Sequence, residues 1–171
     1  MIPSIRQTNL IIFLGCLGLI LVGVFYEHVM KYEPCPLCIT PRAFFDLIGI
    51  LALIAFLHNP KLNGLKTYAV VGILAALGGG YFAQHQLWIQ SLPADQVPAC
   101  GPGLAYMFEA FPFMEAVKLL LQGDGSCAEV HKILGLSFAG WSLIAFVGLG
   151  LINLWQLVRA VKNTGVSAQA S

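Results

Sequence analysis

The chain has 171 residues, of which 58% are hydrophobic and 10% charged, with a net charge of +1. A soluble domain carries about 25% charged residues, so this sequence lacks the polar coat of a water-soluble globule. So small a net charge also gives no footprint for nucleic acid.

A mean hydropathy of +0.80 points instead to a small integral protein of the lipid bilayer. The expected fold is an all-α, four-transmembrane-helix bundle forming a single integral membrane domain over residues 1–171. The first apolar run spans about Leu10 to Tyr26; no small-x-small cleavage pattern follows it, so it is expected to be a retained span. The second covers about Ala43 to Leu57, the third about Leu65 to Trp88 and the fourth about Leu136 to Val158. About 20 apolar residues cross a bilayer, so four runs use roughly 80 residues. What remains is too short and too interrupted by Pro and Gly for a soluble core.

Orientation follows from the basic residues. Arg6, Lys61, Lys66, Arg159 and Lys162 fall in the tails and in the short link between spans two and three, where no acid occurs. Those segments are expected to be cytoplasmic, leaving loops of about residues 28–40 and 89–135 outside. The second loop carries Met107, Phe108, Phe111, Met114, Val117, Lys118 and Leu121 at helical spacing, interrupted by Pro112. That pattern predicts a short helix, lying in the membrane interface or packed on the outer face of the bundle. The tail after Lys162 reads as disordered.

Cys16 lies inside the first span and is expected to be a small buried hydrophobe. The other four cysteines occupy the two outer loops, an even number on the side that permits disulfides. Cys35-Pro36-Leu37-Cys38 is a C-x-x-C unit. Its ring is too small to contribute much stability, and such pairs are commonly redox-active. Thr40 as N-cap and Pro41 as first helical residue of the second span place Cys38 just ahead of a helix N-terminus, where the dipole favours a thiolate. Arg42 adds a fixed positive charge. The second run gives only about 22 Å of helix against about 30 Å of hydrocarbon, so either Arg42 and Thr40 lie within the bilayer's outer edge or the membrane thins there, with the dithiol at the lipid boundary. The alternative for Arg42 is an ordinary snorkelling anchor.

Cys100 and Cys127 sit among Pro98, Gly101, Pro102 and Gly103, and Gly123, Gly125 and Ser126. A bridge closing that loop contributes about 3–4 kcal/mol if it is structural. On a mobile loop it is instead open to attack by another protein's thiolate. Spacing leaves both readings open.

In this order the residues resemble the disulfide bond formation protein B (DsbB) family of bacterial inner-membrane thiol oxidases. The resemblance rests on four spans, on Cys35, Cys38 and Arg42 with the approach His28-Val29-Met30, and on Cys100. The run Gly125 to Glu129 and Leu134-Gly135-Leu136 leading to Trp141 complete it. It implies a relay, and that family's link to a soluble oxidase and quinone is an established means of keeping the periplasm oxidising rather than a deduction from these residues. A reduced periplasmic thioredoxin-like oxidase (DsbA-like) attacks the Cys100–Cys127 disulfide at Cys100. Cys127 then attacks Cys35 and expels Cys38, which passes electrons to a quinone (ubiquinone or menaquinone) of the membrane pool beside Arg42. Pro36 and Pro41 depart from the expected pattern.

Asp46, one turn into the second span, is a functional candidate by default, with Arg42 at i−4 as its expected partner. His85, flanked by Gln84 and Gln86, matches a family histidine and is a candidate to hydrogen-bond a quinone carbonyl or to sit polar at the interface. His28 and His131 read as interface or loop residues. Gly78, Gly79 and Gly80 permit close helix packing or leave room for a flat ring. Rival readings are a zinc site built on Cys35, Cys38 and two histidines, a haem subunit, and a scaffold with structural disulfides. A zinc site needs a second tight ligand pair, which the sequence lacks, so no metal is expected. Ile39 after Cys38 excludes the C-x-x-C-H haem motif.

Overall fold

The computed structural model describes residues 4–29, 36–93, 96, 109–122, 128, 132–133 and 135–169. Four helices are long and apolar enough to cross a membrane: α1 (Ile5–Val29), α2 (Pro36–His58), α3 (Leu62–Gln90) and α5 (Phe138–Gln169). A shorter helix, α4 (Phe113–Gln122), and a two-stranded hairpin, β1 (Lys132–Ile133) and β2 (Leu136–Ser137), lie between α3 and α5.

Capping chemistry places several of the helix ends. Ser4 and Gln7 form a reciprocal box, Gln7 N–H donating to Ser4 Oγ and Ser4 N–H to Gln7 Oε1, so α1 starts five residues before its apolar run. Asn59 follows α2 in the left-handed region at φ 43°, a conformation Asn tolerates, and Pro60 prevents the helix from continuing. Glu115 and Ala116 both bond back to the Pro112 carbonyl, so the proline that interrupts the loop's helical pattern starts α4. Gly135, at φ 88°, turns the hairpin. The Ser137 hydroxyl then accepts from Gly140 N–H and caps α5.

Two expectations change here. The tail is not disordered from Lys162, because α5 runs on to Gln169; no proline interrupts it, and one interior glycine costs a helix only about 1 kcal/mol. Nor is the second span short. Its 23 residues reach about 34 Å, enough for the hydrocarbon layer.

The helices pack in sequence order, with α3 against α5 the most extensive contact, followed by α1 on α2 and α2 on α3. Their outer faces expose Leu, Ile, Val and aromatic side chains such as Leu74, Leu77, Ile144 and Leu151, as a lipid-facing surface requires. The core is small and tight. Cys16, Phe45, Ile48, Ala76, Ala83 and Phe146 form one buried cluster, and the Phe45 and Phe146 rings stack with centroids 4.1 Å apart.

Along α3 the buried positions are Leu65, Ala69, Gly72, Ala75, Ala76, Gly79, Ala83, Gln86 and Ile89. Small residues dominate this stripe and let neighbouring backbones approach, the usual device where lipid removes the hydrophobic drive between helices. Of the two readings of Gly78, Gly79 and Gly80, close packing describes Gly78, against Phe44, and Gly79, against Phe146, while Gly80 has looser neighbours; Gly72 lies against Asn153. At the end of the bundle that carries the termini, Gln156 Nε2 donates to Asn9 Oδ1 at 3.1 Å and ties α5 to α1.

Gly79→Ala therefore overpacks a ring that Phe45 already holds, at an expected loss of about 1–3 kcal/mol. Gly15→Ala on α1, where an added Cβ meets nothing within 4 Å, leaves stability unchanged or raises it. Thermal unfolding in detergent compares the two.

Candidate functional site

The site is built around the start of α2. Pro36 is the first helical residue, a position proline favours because its missing N–H would be unpaired anyway. Cys38 therefore lies within the first turn. This corrects the expected cap: Thr40 and Pro41 are inside the helix, and the Thr40 hydroxyl is buried with no hydrogen-bond partner. The helix dipole still acts on Cys38. The unpaired N–H groups and positive end of α2 now surround Cys38 rather than follow it.

Cys38 is disulfide-bonded, whereas Cys16 is a free, buried thiol, as expected of a core residue. Cys35, Cys100 and Cys127 lie outside the described residues, as do Met30, His131 and most of the Gly125–Glu129 run. From α3, the side-chain amide of Gln86 donates to Cys38 Sγ at 2.9 Å. Gln86 is only 4% exposed. Buried Ile89 gathers Cys38, Phe82 and Ala128 around it. Ala128 comes from the segment between α4 and β1.

Arg42 is one turn further along α2 and points towards α1. Its Nη1 donates to Glu27 Oε2 in a partly buried ion pair. Gly23 makes the room for this. A Cβ there would lie 3.0 Å from Arg42 Nη2. The expected pairing of Arg42 with Asp46 does not form: Asp46 is exposed on α2, and the carboxylate facing the guanidinium comes from the last turns of α1. Arginine before acid is the weaker order on one helix, and an interhelical partner displaces it.

His85 lies on α3 beside Gln86. Its ring is near-parallel to those of Tyr81, at 6.5 Å and 5°, and Trp88, at 5.7 Å and 20°. With Tyr81, Phe82, Met114, Val117, Lys118 and Leu121 it lines a groove of about 560 Å³ between α3 and α4. Ala116 of α4 is fully buried, while Phe113 and Met114 remain exposed, so α4 packs on the bundle with an apolar face left outward. Phe82 borders both this groove and the Cys38 cluster. Arg42 thus lies one turn along α2 from Cys38, and His85 on α3 is the sequence neighbour of Gln86, whose amide reaches the same sulfur. Among the described residues, no three His, Cys, Asp or Glu side chains gather.

Sequence reasoning missed Glu27 and Gln86 as members of the site. Gln86 had a signal: the buried positions of α3 recur every three or four residues through Gly72, Gly79 and Ala83, and that phase selects Gln86, not His85, for the interior. Glu27 had a weaker one, an acid at the end of a membrane span, where a carboxylate calls for a partner.

The family model "Disulfide bond formation protein DsbB" matches residues 5–156. Among curated relatives, the disulfide bond formation protein B of Saccharophagus degradans is 53% identical over 160 residues, 92% of this chain and 96% of its own. That of Hahella chejuensis is 49% identical over 155 residues, 90% of this chain and 94% of its own. That of Nitrosococcus oceani is 44% identical over 163 residues, covering 95% and 96%. No solved structure matches the chain. Likeness of this degree, running almost end to end through all four spans, assigns the descent: the chain belongs to the disulfide bond formation protein B family.

Proposed function

We propose that the protein is a thiol:quinone oxidoreductase of the bacterial inner membrane. It reoxidises a periplasmic thioredoxin-like dithiol oxidase and passes two electrons to the membrane quinone pool. The observation that supports this best is the position of Cys38, a disulfide-bonded sulfur within the first turn of a membrane-spanning helix. There a helix N-terminus and a hydrogen-bond donor both favour negative charge.

In this reading the partner's thiolate attacks Cys100, forming a mixed disulfide and releasing Cys127 as thiolate. Cys127 attacks Cys35, which breaks the Cys35–Cys38 bond and leaves Cys38 anionic. The partner's second thiol closes its own disulfide and frees Cys100. Cys100 then regains Cys127 and releases Cys35, so that the partner has lost two electrons and two protons to the Cys35–Cys38 pair. A quinone bound beside Cys38 accepts both and the pair closes again.

The side chains of this face suit such a ring. Phe82, Tyr81 and His85 supply flat walls, and apolar Met114, Val117 and Leu121 of α4 line the groove for an isoprenoid tail, beside Lys118. Arg42 supplies positive charge one turn along α2 from Cys38, held by Glu27. Its charge favours the thiolate, and Glu27 acts by orienting it.

The test is quinone reduction by the purified chain, with and without a reduced thioredoxin-like donor. Cys38→Ser is expected to abolish quinone reduction with either donor. Cys100→Ser is expected to lose turnover with the protein donor while retaining slow reduction driven by a small dithiol. Normal partner oxidation by Cys38→Ser rejects the relay.

The ion pair gives a second prediction. Arg42→Ala is expected to slow quinone reduction by about 10²-fold, the usual cost of one preorganised charge-stabilising group. Glu27→Gln, which leaves the guanidinium in place, should cost only a few-fold. The double variant should be no slower than Arg42→Ala, because coupled residues are non-additive. Steady-state quinone reduction by the three variants checks this, and additive losses separate Glu27 from Arg42.

A further inference from the structure

Gln86 brings an uncharged donor to a sulfur 48 positions away in sequence. The contact is short for sulfur, and the amide is enclosed by the bundle at 4% exposure, so it has little access to water as an alternative partner. A disulfide sulfur is a weak acceptor, whereas a thiolate is a strong one: charge-assisted hydrogen bonds are roughly twice as strong as neutral ones. Buried among Ile89 and Phe82, the donor acts in a low-dielectric setting where that difference is enlarged. A fixed donor that gains strength only when charge develops is the arrangement that lowers a barrier instead of merely holding a ground state.

We propose that Gln86 is a catalytic residue that selects Cys38 as the sulfur released when its disulfide opens, by hydrogen-bonding the thiolate more strongly than the disulfide. When an incoming thiolate bonds to the other sulfur, the electron pair of the breaking S–S bond goes to Cys38. The Gln86 amide holds that charge and moves no proton. Being neutral at every accessible pH, it does so without the ion-pair partner that Arg42 needs. The leaving-group role rests on the proposed relay; the hydrogen bond's effect on the Cys38 disulfide does not.

The experiment uses full-length protein in detergent, stripped of quinone and without partner, equilibrated at mildly alkaline pH with mixtures of dithiothreitol and its oxidised form. One dithiothreitol reduces one protein disulfide and becomes the cyclic disulfide, so electrons balance. The fraction of Cys38 open to alkylation is read by mass spectrometry. Gln86→Met, which keeps length and loses the donor, is expected to shift the equilibrium about tenfold towards the disulfide, equivalent to about 30 mV. Ile89→Ala loosens the same cluster while keeping the donor, and is expected to lower thermal stability without shifting the equilibrium. Gln86→Glu, of the same shape with an acceptor in place of the amide, provides a second variant should Gln86→Met not fold, with a shift in the same direction. A change under twofold in the folded Gln86 variants, or an equal shift in Ile89→Ala, overturns the proposal. With neither quinone nor partner present, the result is independent of the relay. Failure of the wild type to reduce quinone defeats the proposed function alone.

Discussion

The placement of the first residue of α2 governs the chemistry at this end of the molecule. A helix beginning at Pro36 puts Cys38 among the unpaired N–H groups of the first turn, and Arg42 one turn along. That second turn faces α1, so Arg42 meets Glu27 instead of its helical neighbour Asp46. Had the helix begun at Pro41, Cys38 would belong to a loop and its orientation to the dipole would be loose. In a membrane protein the backbone must satisfy itself within each span. The few orphan N–H groups at a helix start are therefore the natural places to hold an anion.

The second determinant is the stripe of small residues on α3. Gly72, Ala76, Gly79 and Ala83 bring its backbone close to α2 and α5, and the same phase carries Gln86 inward at the level of Cys38. The packing of the bundle and the polar contact on the sulfur thus share one periodicity. Tight seams also limit relative sliding of the helices, since Gly79 accommodates the Phe146 ring and Gly72 the Asn153 side chain. A hydrogen bond between helices keeps its length only if the helices keep their register.

Much of the architecture was open to reading from composition and hydropathy: four apolar runs, their order, and a helix between the last two. Helix ends were less so, because they depend on local hydrogen bonding that hydropathy does not register. Ser4 with Gln7, Asn59 before Pro60, and Ser137 after a glycine turn set helix ends that lie between one and five residues from the ends of the apolar runs. Thr40 illustrates a false signal. Thr-Pro is a good helix start in isolation, but Pro36 offers the same advantage a turn earlier, and the longer helix satisfies more backbone in lipid. For the site, Cys38 and Arg42 stood out through spacing and charge. The partner of Arg42 did not, because Gly23 has no side chain to announce the room it makes, and interhelical contacts leave no trace in local sequence.

The hairpin before α5 has a mechanical meaning. Ser137 both closes β2 and caps the helix, so the strand pair is continuous with a rigid rod anchored in the bilayer. Ala128, four residues before Lys132, rests against Ile89. Four extended residues reach at most about 14 Å, so the capping hairpin and the Ile89 contact lie within that distance of one another.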